Sequence, residues 1–412
     1  MNSQVDAEFE VLTNSSTQRL LAEIVAEKSL TIAQMERLRI QFGQALFEAA
    51  LRITKARQKA LSKFPNAERL WLDPVRVEQA THQTVALHKA QRFKGRQVAD
   101  ICCGLGGDTL ALAGSADQVI ALDLDTDCLR RLQFNLTELN LADKVALVKA
   151  DANQALLSPN ILIHIDPDRR AKDRSGRPKF QMEDFQPSLS SIFRLMQQHP
   201  GGAIKLSPGS DFETLELASN KIQIKTELEL ISLNGECKEA TLWFGELAGP
   251  CHRSATTLPI NASYQGHLSN DYIETIALEN IGPYLFEADA ALVRSGLASV
   301  FATAHHLELC MPDGAYLSGS DINQIQSPWL TGFEVLETLP PDRKSVRQAL
   351  KRHGWPTAVV KTRGRIHAAE VLKWLDKAPS GNTLETLFVW TSPTGPKSAI
   401  LARRLNLNQA SP

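Results

Sequence analysis

Five short apolar segments alternate with helical stretches between residues 97 and 206 of this chain. The segments occupy residues 98–101, 119–123, 145–148, 161–165 and 203–206. Strands separated by helices indicate a parallel sheet, and a continuous apolar run indicates that helices cover both of its faces. The sequence therefore predicts an α/β fold built on a doubly wound, Rossmann-like sheet.

The segments before and after this sheet predict a helical region and a smaller module. Leu20, Leu21, Ile24 and Val25 recur at a spacing that is typical of an amphipathic helix. Residues 259–268 are predicted as a loop and residues 288–306 as a helix. From residue 333 the order strand, helix, strand, helix and two closing strands indicates a compact α+β module. We therefore expect four regions: a helical region at 1–89, the sheet domain at 90–250, a connecting region at 251–330 and the α+β module at 331–412.

The net charge of −1 hides a basic C-terminal end. Residues 341–412 contain 13 Lys and Arg against four Asp and Glu. A basic end on a near-neutral protein is typical of a surface that binds a polyanion such as nucleic acid, and the alternative is a merely solvated end.

The sequence gives no signal for export, for a membrane or for a metal. It has no apolar run of the roughly 18 residues that a membrane span needs, and its N-terminus lacks the apolar core of a signal peptide. The six cysteines form no C-x-x-C pair and have no partners at zinc-like spacing. We expect a cytoplasmic protein with reduced thiols and no metal site. The oligomeric state stays open.

The sharpest motif is a glycine-rich turn after the first predicted strand, at residues 100–108 (DICCGLGGD). Gly104 and Gly106 let the backbone approach a ligand closely, and the next helix presents its amide groups to that ligand. A NAD site or a simple strand–helix connection can contain the same kind of turn. The turn alone leaves these alternatives open.

Carboxylates after the following strands favour a different cofactor. Asp123 ends the second strand 19 residues after Gly104, where it would accept hydrogen bonds from ribose hydroxyls. Asp151 follows the third strand, in place to meet an adenine amino group, and Asp166 follows the fourth. Asp108 would repel a pyrophosphate and suits a ligand that carries an ammonium group. This combination fits S-adenosylmethionine better than NAD.

The D-x-x-C-G-x-G-G sequence of residues 100–107 resembles class I S-adenosylmethionine-dependent methyltransferases. It is similar to the version in the trimethylguanosine synthase group and related RNA methyltransferases, and the resemblance extends over residues 90–250. It implies that the turn lines the methionine end of the cofactor, that Asp123 binds the ribose and that Asp151 binds the adenine. The residues that it places at the cofactor are Asp100, Cys102, Gly104, Gly106, Asp108, Asp123, Asp151 and Asp166.

The residues after the fourth strand depart from this group. Relatives that methylate amino nitrogens carry Asn/Asp-Pro-Pro and then an aromatic residue, whereas this chain has Asp166-Pro167-Asp168 and then Arg169. In that group the first side chain and the following carbonyl accept hydrogens from a planar amino group and align its lone pair on the methyl group. Asp166 and Pro167 keep that option, without an aromatic residue to stack a base. The resemblance thus implies catalytic roles for Asp166, Pro167 and Asp168, with an amino nitrogen as acceptor.

A basic segment follows at residues 168–179, with six basic and two acidic residues. Because it leaves the sheet beside the expected methyl donor, we interpret Arg169, Arg170, Lys172 and Arg174 as contacts to substrate phosphates. The alternative is a charged loop without a ligand.

The C-terminal α+β module resembles the THUMP-like domains that accompany a family of bacterial methyltransferases. Residues 284–289 resemble the small ferredoxin-like element that precedes such domains. THUMP domains are associated with RNA, chiefly tRNA. The resemblance implies one RNA-facing surface that contains Lys344, Arg347, Lys351, Arg352, Lys361, Arg363 and Arg365.

These features together predict an S-adenosylmethionine-dependent methyltransferase that modifies a nucleobase in RNA such as tRNA or rRNA. Two alternatives stay open: a non-catalytic RNA-binding protein that kept the fold, and a methyltransferase of a small molecule or protein. A NAD-dependent enzyme is a more distant alternative. His164 in the fourth strand is interpreted as a hydrogen-bonded core residue, and Cys102 and Cys103 as packing residues rather than nucleophiles.

Overall fold

A computed structural model describes residues 3–27, 30–154, 157–169, 185–268, 274–277, 280–380, 383–391 and 397–405 of the chain. The chain divides into two compact units. The first contains Met1–Glu227 and Glu239–Pro250, and the second contains Leu228–Lys238 and Cys251–Pro412.

The N-terminal region of the first unit is helical, as predicted. Its helices are α1 (Ser3–Thr13), α2 (Ser15–Ala26), α3 (Ile32–Phe42), α4 (Gln44–Ala60), α5 (Arg76–Gln79) and α6 (Gln83–Ala90). A capping box starts α3, because Thr31 and Gln34 each accept a hydrogen bond from the other's backbone N–H. Gly43, at φ 87°, ends α3 and lets α4 begin at the next residue. The apolar faces of α1 to α4 pack around Leu20 and Phe47, whereas α5 and α6 contribute to other cores.

The first unit contains the predicted doubly wound sheet. The strands of this part of the chain are β1 (Gln97–Ile101), β2 (Gln118–Asp123), β3 (Val145–Lys149), β4 (Leu162–Ile165), β5 (Asp168–Arg169), β6 (Phe185–Gln186), β7 (Gly201–Leu206), β8 (Thr226–Leu233) and β9 (Glu236–Gly245). Five of them run parallel in the order β3-β2-β1-β4-β7, and β9 pairs antiparallel with β7. The helices between them are α7 (Gly107–Ser115), α8 (Thr126–Glu138), α9 (Leu189–Gln198) and α10 (Phe212–Lys221).

The strand order determines where a ligand can bind. The chain proceeds outward from β1 to β3 on one side, and then returns to β4 on the other side of β1. The crevice at the carboxyl ends of β1 and β4 is therefore the switch point, where doubly wound sheets bind their ligands.

The second unit contains a small sheet and a seven-stranded sheet. Residues 228–233 of β8 pair in parallel with β10 (Arg253–Leu258), which pairs antiparallel with β11 (Ala262–Gly266). The remaining strands are β12 (Tyr284–Ala288), β13 (Glu308–Leu309), β14 (Tyr316–Gly319), β15 (Leu330–Leu339), β16 (Val359–Gly364), β17 (Glu385–Thr391) and β18 (Lys397–Arg404), in the sheet order β13-β14-β12-β15-β18-β17-β16. The helices are α11 (Ala290–Arg294), α12 (Ala298–Ala304), α13 (Arg343–Arg352) and α14 (Ala368–Val371).

The two faces of the seven-stranded sheet have different neighbours. Successive residues of a strand point to opposite faces. Leu387 and Val389 of β17 face α13 and are buried in one core. Phe388 and Trp390 lie on the other face, in a second core beside the Tyr316 ring.

Two expectations between residues 251 and 306 are wrong. Residues 259–268 contain strand β11 instead of only a loop, reached from β10 through a turn with Asn261 at φ 60°. This strand is half-exposed and weakly apolar, which is why the pattern gave no strand signal. Residues 288–306 form the two helices α11 and α12 instead of one, because Gly296 adopts φ 78° between them, a value outside any right-handed helix.

The predicted fold class is otherwise confirmed: an α/β parallel sheet with a helical N-terminal region and a C-terminal α+β module. Asn234 and Gly235, in the turn between β8 and β9, both have positive φ, at 53° and 80°, which is typical of a two-residue hairpin turn. None of the helices in the described ranges is long and apolar enough to span a membrane.

Candidate active site

The glycine turn lies at the switch point, between β1 and α7. Cys102, Gly104 and Gly106 have φ of 64°, 54° and 85°, so the backbone makes a turn in the left-handed region. A Cβ on Gly106 would lie 2.3 Å from a methyl carbon of Leu132 in α8, so this position excludes a side chain. A Cβ on Gly104 would meet no atom within 4 Å, so the backbone there is open to a ligand.

Asp123 is directly attached to this turn. Its Oδ2 accepts a hydrogen bond of 2.8 Å from the Gly104 N–H, and its Oδ1 accepts one of 2.8 Å from the Asp125 N–H. The carboxylate predicted to bind a ribose therefore lies beside the glycine predicted to approach the cofactor. Asp151 follows β3, where its Oδ1 accepts a hydrogen bond from the Asn153 N–H at 2.8 Å.

Asp166 lies next to the turn on the other side. Its N–H donates a hydrogen bond of 3.1 Å to the carbonyl of Ile101, the last residue of β1. Its Oδ2 accepts a hydrogen bond of 2.6 Å from Lys205 Nζ, and its side chain remains 37% exposed. Pro167, the next residue, is buried. The structure thus brings the Asp166-Pro167 motif and the glycine turn together at one edge of the sheet.

The remaining residues of this motif are described only in part. The backbones of Asp168 and Arg169 form β5, which pairs with β6. Cys102 Sγ lies 3.9 Å from the carbonyl oxygen of Gln186 in β6. The side chains of Asp168 and Arg169 lie outside the described part of the chain, as do the whole of Arg170, Lys172 and Arg174.

A cluster of buried charges lies behind the turn. Lys89 on α6 is 2% exposed and contacts Asp108 at 2.8 Å and Glu239 of β9 at 2.5 Å. Asp108 also accepts a hydrogen bond of 2.6 Å from the Thr81 hydroxyl. Lys205 lies 4.0 Å from Asp108, so the cluster extends to Asp166. Buried charges are tolerated when each has a partner of opposite charge, and here the lysines alternate with the carboxylates.

The cluster keeps Asp108, Lys89 and Lys205 ionised. Burial alone would raise the pKa of Asp108. The positive charges of Lys89, His164 and Lys205 lower it by more than burial raises it, so the pKa lies well below its usual value. Burial lowers the pKa of Lys205, but Asp166 and Asp108 raise it, so it remains above its ordinary value. The same balance, with Asp108 and Glu239 as partners, raises the pKa of Lys89.

Asp108 was assigned to the amino group of the cofactor, and the structure places its carboxylate on Lys89 and Thr81. Its side chain is 9% exposed. Asp100, at the start of the motif, is 1% exposed and accepts hydrogen bonds from His164 Nδ1 at 2.8 Å and from the Thr109 hydroxyl. His164 is therefore a hydrogen-bonded core residue, as predicted.

Lys89, Lys205 and Glu239 belong to this cluster but were not predicted from the sequence. A signal for one of them was present: Lys205 is the only charged residue in the apolar strand GGAIKL. A lone charge in a buried strand requires a partner, and Asp166 is the residue after the neighbouring strand β4.

The predicted RNA-facing residues of the second unit do not form one surface. Lys344, Arg347, Lys351 and Arg352 lie on α13, on one side of the sheet. Arg347 pairs with Asp376 at 2.7 Å, and Arg352 pairs with Glu337. Lys361 and Arg363 of β16 contact the rings of Phe333 and Tyr316, which belong to the other side. The sheet therefore separates the two groups.

The turn fits the cofactor predicted from the sequence. The open space at Gly104 admits a ligand, and Asp123 and Asp166 give the crevice the negative charge that suits a sulfonium. No group of His, Cys, Asp and Glu in the described residues has the arrangement of a metal site. A sheet in this order, with a glycine turn after β1, a carboxylate after β2 and the antiparallel strand β9 beside β7, agrees with the class I S-adenosylmethionine-dependent methyltransferases that residues 100–107 resemble.

Comparison with known proteins agrees with this class. A family model described as RNA cap guanine-N2 methyltransferase matches residues 95–181, and a model described as THUMP domain-like matches residues 330–404. An uncharacterized S-adenosylmethionine-dependent methyltransferase of Mycobacterium tuberculosis, from strains CDC 1551 and H37Rv, is 31% identical over 335 residues, which cover 79% of this chain and 88% of the relative. A crystal structure from Porphyromonas gingivalis W83, described as a methyltransferase, has a TM-score of 0.71 at 20% identity and covers 98% of both chains.

The chain belongs to the family of these mycobacterial S-adenosylmethionine-dependent methyltransferases. The predicted family, the enzyme class and the cofactor are therefore confirmed, and so is the THUMP-like character of the C-terminal module. The Porphyromonas structure shows that the whole fold is shared.

Proposed function

We propose that this enzyme methylates an amino nitrogen of a nucleobase in RNA, such as tRNA or rRNA. The observation that carries the proposal is the hydrogen bond between the Asp166 N–H and the Ile101 carbonyl at 3.1 Å. It supports a position for the Asp166 carboxylate and the Pro167 carbonyl beside the turn that we propose as the methyl-donor site. Carboxylate and carbonyl oxygens are hydrogen-bond acceptors, which match the two hydrogens of an exocyclic amino group.

Asp166, Pro167 and Lys205 position the amino nitrogen that accepts the methyl group. When bound, S-adenosylmethionine would supply the methyl group of its sulfonium, so that the new nitrogen–carbon bond forms as the methyl–sulfur bond breaks and S-adenosylhomocysteine leaves. The methylated nitrogen would then release one hydrogen as a proton to solvent. Lys205 occupies Oδ2 of Asp166 at 2.6 Å, and Oδ1 is then the atom that accepts a hydrogen from the acceptor amino group. Because Lys205 is itself bound to the buried cluster, the Asp166 carboxylate is fixed in direction before the substrate binds. A fixed geometry of this kind accelerates the reaction by orienting the acceptor nitrogen. The enzyme donates no proton in the methylation step.

Two matches support RNA as the substrate. The model described as RNA cap guanine-N2 methyltransferase covers Asp100 to Asp166, which includes both the glycine turn and the acceptor motif. The THUMP domain-like match covers the basic C-terminal module. The six cysteines are free thiols, in line with the cytoplasmic location that we expect for an enzyme of this kind.

Label transfer from methyl-labelled S-adenosylmethionine tests the proposal. The acceptor is fractionated RNA from a strain that lacks this protein, and the Asp166→Ala variant is the control. We expect label in one RNA fraction with the wild-type protein and none with the variant, at a cofactor concentration that saturates both proteins. Label in a small-molecule or protein fraction instead would establish the alternative substrates.

Absence of label in every fraction, despite cofactor binding, would favour an RNA-binding protein that lost its chemistry. The sequence feature behind that alternative is the replacement of the usual Pro-aromatic pair by Asp168 and Arg169.

A further inference from the structure

The second unit contains a cleft of about 900 Å³ on the face of the C-terminal sheet opposite α13. It lies between the connecting region and the THUMP-like module, and both contribute to its walls. Five basic residues line it: Arg253 of β10, Arg294 of α11, Lys361 and Arg363 of β16, and Arg404 of β18. Its acidic residues number three: Glu287, Asp289 and Asp313.

The two half-buried acids of the cleft have partners within the protein. Glu287 accepts hydrogen bonds from Lys361 Nζ at 2.6 Å and from the Tyr316 hydroxyl at 3.2 Å. Asp289 caps α11 and accepts a hydrogen bond from the Thr257 hydroxyl at 3.2 Å. These carboxylates therefore position neighbouring groups, and the cleft retains an excess of positive charge over negative.

Three of the basic side chains, those of Arg294, Arg363 and Arg404, are exposed to solvent. Arg363 and Arg404 are on the same face of the sheet, because Arg363 lies over the Tyr316 ring and Arg404 is directly opposite Phe333 in the β15–β18 ladder. A row of guanidinium groups in a concave surface is the arrangement that binds successive phosphates of a polyanion.

The same cleft also offers apolar surface. Ile260 is 68% exposed and Leu268 is 45% exposed, and both line the cleft. Exposed apolar side chains next to guanidinium groups match a ligand with flat apolar rings and phosphates. The volume lies in the range of about 300–1,000 Å³ that is typical of sites for one small ligand. It therefore accommodates a few nucleotides of one strand and not the width of a duplex.

We propose that this cleft is the RNA-binding site of the C-terminal module, and that it takes a single-stranded segment of the substrate through its phosphates. The choice of RNA among polyanions rests on the proposed function. In this arrangement α13 is a solvated face, since two of its four predicted RNA contacts are engaged by Asp376 and Glu337.

Matched charge reversals on the two faces test the proposal. The cleft variant is Arg363→Glu with Arg404→Glu, and the control is Lys344→Glu with Lys351→Glu on α13. All four residues are exposed, and both changes alter the net charge equally. Binding of the full-length proteins to fluorescein-labelled oligo(U) is measured by anisotropy over a series of salt concentrations.

We expect the cleft variant to lose at least about tenfold in affinity and to lower the salt slope by about 1.4, since two phosphate contacts on a single strand are removed. The α13 variant should change affinity only slightly. Equal losses in both variants, a larger loss in the α13 variant or no loss in either would overturn the proposal. Arg363→Gln with Arg404→Gln should reproduce part of the loss, and an unchanged thermal midpoint excludes misfolding.

The result is separable from the proposed reaction. Cofactor affinity, measured by calorimetry, should be the same in all of these proteins. Oligo(U) has no exocyclic amino group, so its binding to the cleft does not depend on methyl transfer. Loss of binding in the cleft variant would therefore support this cleft even if the label-transfer experiment identified a different acceptor.

Discussion

The Lys205 ammonium lies 2.6 Å from one oxygen of the Asp166 carboxylate. This contact links the Asp166-Pro167 motif to the buried charge cluster around Asp108, behind the glycine turn. Lys205 is 15% exposed and Asp166 is 37% exposed, so the contact is only partly open to solvent and is screened less than an ion pair on the surface. The cluster therefore holds the carboxylate that we propose to orient the acceptor. Most of the predictions below concern this link and the turn beside it.

Replacement of Lys205 by Met should slow methyl transfer while leaving cofactor binding unchanged. The Asp166 carboxylate would no longer be held in one direction, and misplacement of a positioning group costs about tenfold to hundredfold in kcat. Lys205→Arg keeps the charge and should retain much of the activity. Single-turnover rates and calorimetric cofactor affinities, measured side by side, check this. A Lys205→Met protein with a normal rate would show that Asp166 does not need this partner.

Replacement of Asp123 by Asn should weaken cofactor binding. We propose that the carboxylate accepts hydrogen bonds from ribose hydroxyls, and hydrogen bonds to a charged group contribute about 1.5–3 kcal/mol, which corresponds to roughly tenfold to hundredfold in affinity. The exposed Asp117→Asn, which makes the same change of charge, is the control. Calorimetric titration with S-adenosylmethionine measures both. Equal affinities in the two variants would remove Asp123 from the cofactor site.

The two glycines of the turn should respond differently to alanine. A Cβ at position 106 would lie 2.3 Å from Leu132, so Gly106→Ala should lower the free energy of unfolding by about 1–3 kcal/mol from overpacking, in addition to backbone strain at φ 85°. A Cβ at position 104 points into open space, so Gly104→Ala should lower stability less and cofactor affinity more. Denaturant unfolding and calorimetric titration of both variants give the comparison. If Gly104→Ala lowered stability more and cofactor affinity less than Gly106→Ala, the assignment of the open side of Gly104 to the ligand would be contradicted.

Replacement of Asp108 by Asn should destabilise the protein by about 3–5 kcal/mol at neutral pH, because Lys89 would lose a partner in a buried site. The pKa of Asp108 is well below its usual value in the folded state, so its contribution is fully present above the ordinary Asp pKa of about 3.9 and is lost as pH falls below it. The difference in unfolding free energy between wild type and Asp108→Asn should therefore be constant above about pH 5 and shrink in more acidic solution. Denaturant unfolding at a series of pH values measures it. A difference that grows on acidification would contradict the charge assignment.

The sheet and the cofactor edge were predictable because their signals are local. Each strand of the sheet is a continuous apolar run, and the glycines and Asp123 occupy the positions where such strands end. The buried cluster was not predictable, because Lys89, Lys205 and Glu239 come from α6, β7 and β9 and meet only after the sheet forms. The same reason explains why one RNA-facing surface was expected: Lys351 and Lys361 are near in sequence, yet the sheet places them on opposite faces.

The break between α11 and α12 shows a further limit. Residues 288–306 are rich in Ala and apolar residues, which favour a helix throughout. Gly296, at φ 78°, has the left-handed conformation that is typical of the residue after a helix end, so the glycine itself was a signal for the interruption. Local propensity therefore predicted helix in the right place but not its interruption.

The most direct test of the account is nucleoside mass spectrometry of RNA from a strain that lacks this protein, complemented with the wild-type gene or with Asp166→Ala. The account predicts one base-methylated nucleoside, modified on an amino nitrogen, that is absent in the deletion strain, is restored by the wild type and is not restored by the variant. Restoration by Asp166→Ala, or a nucleoside profile that is the same in all strains, would contradict it.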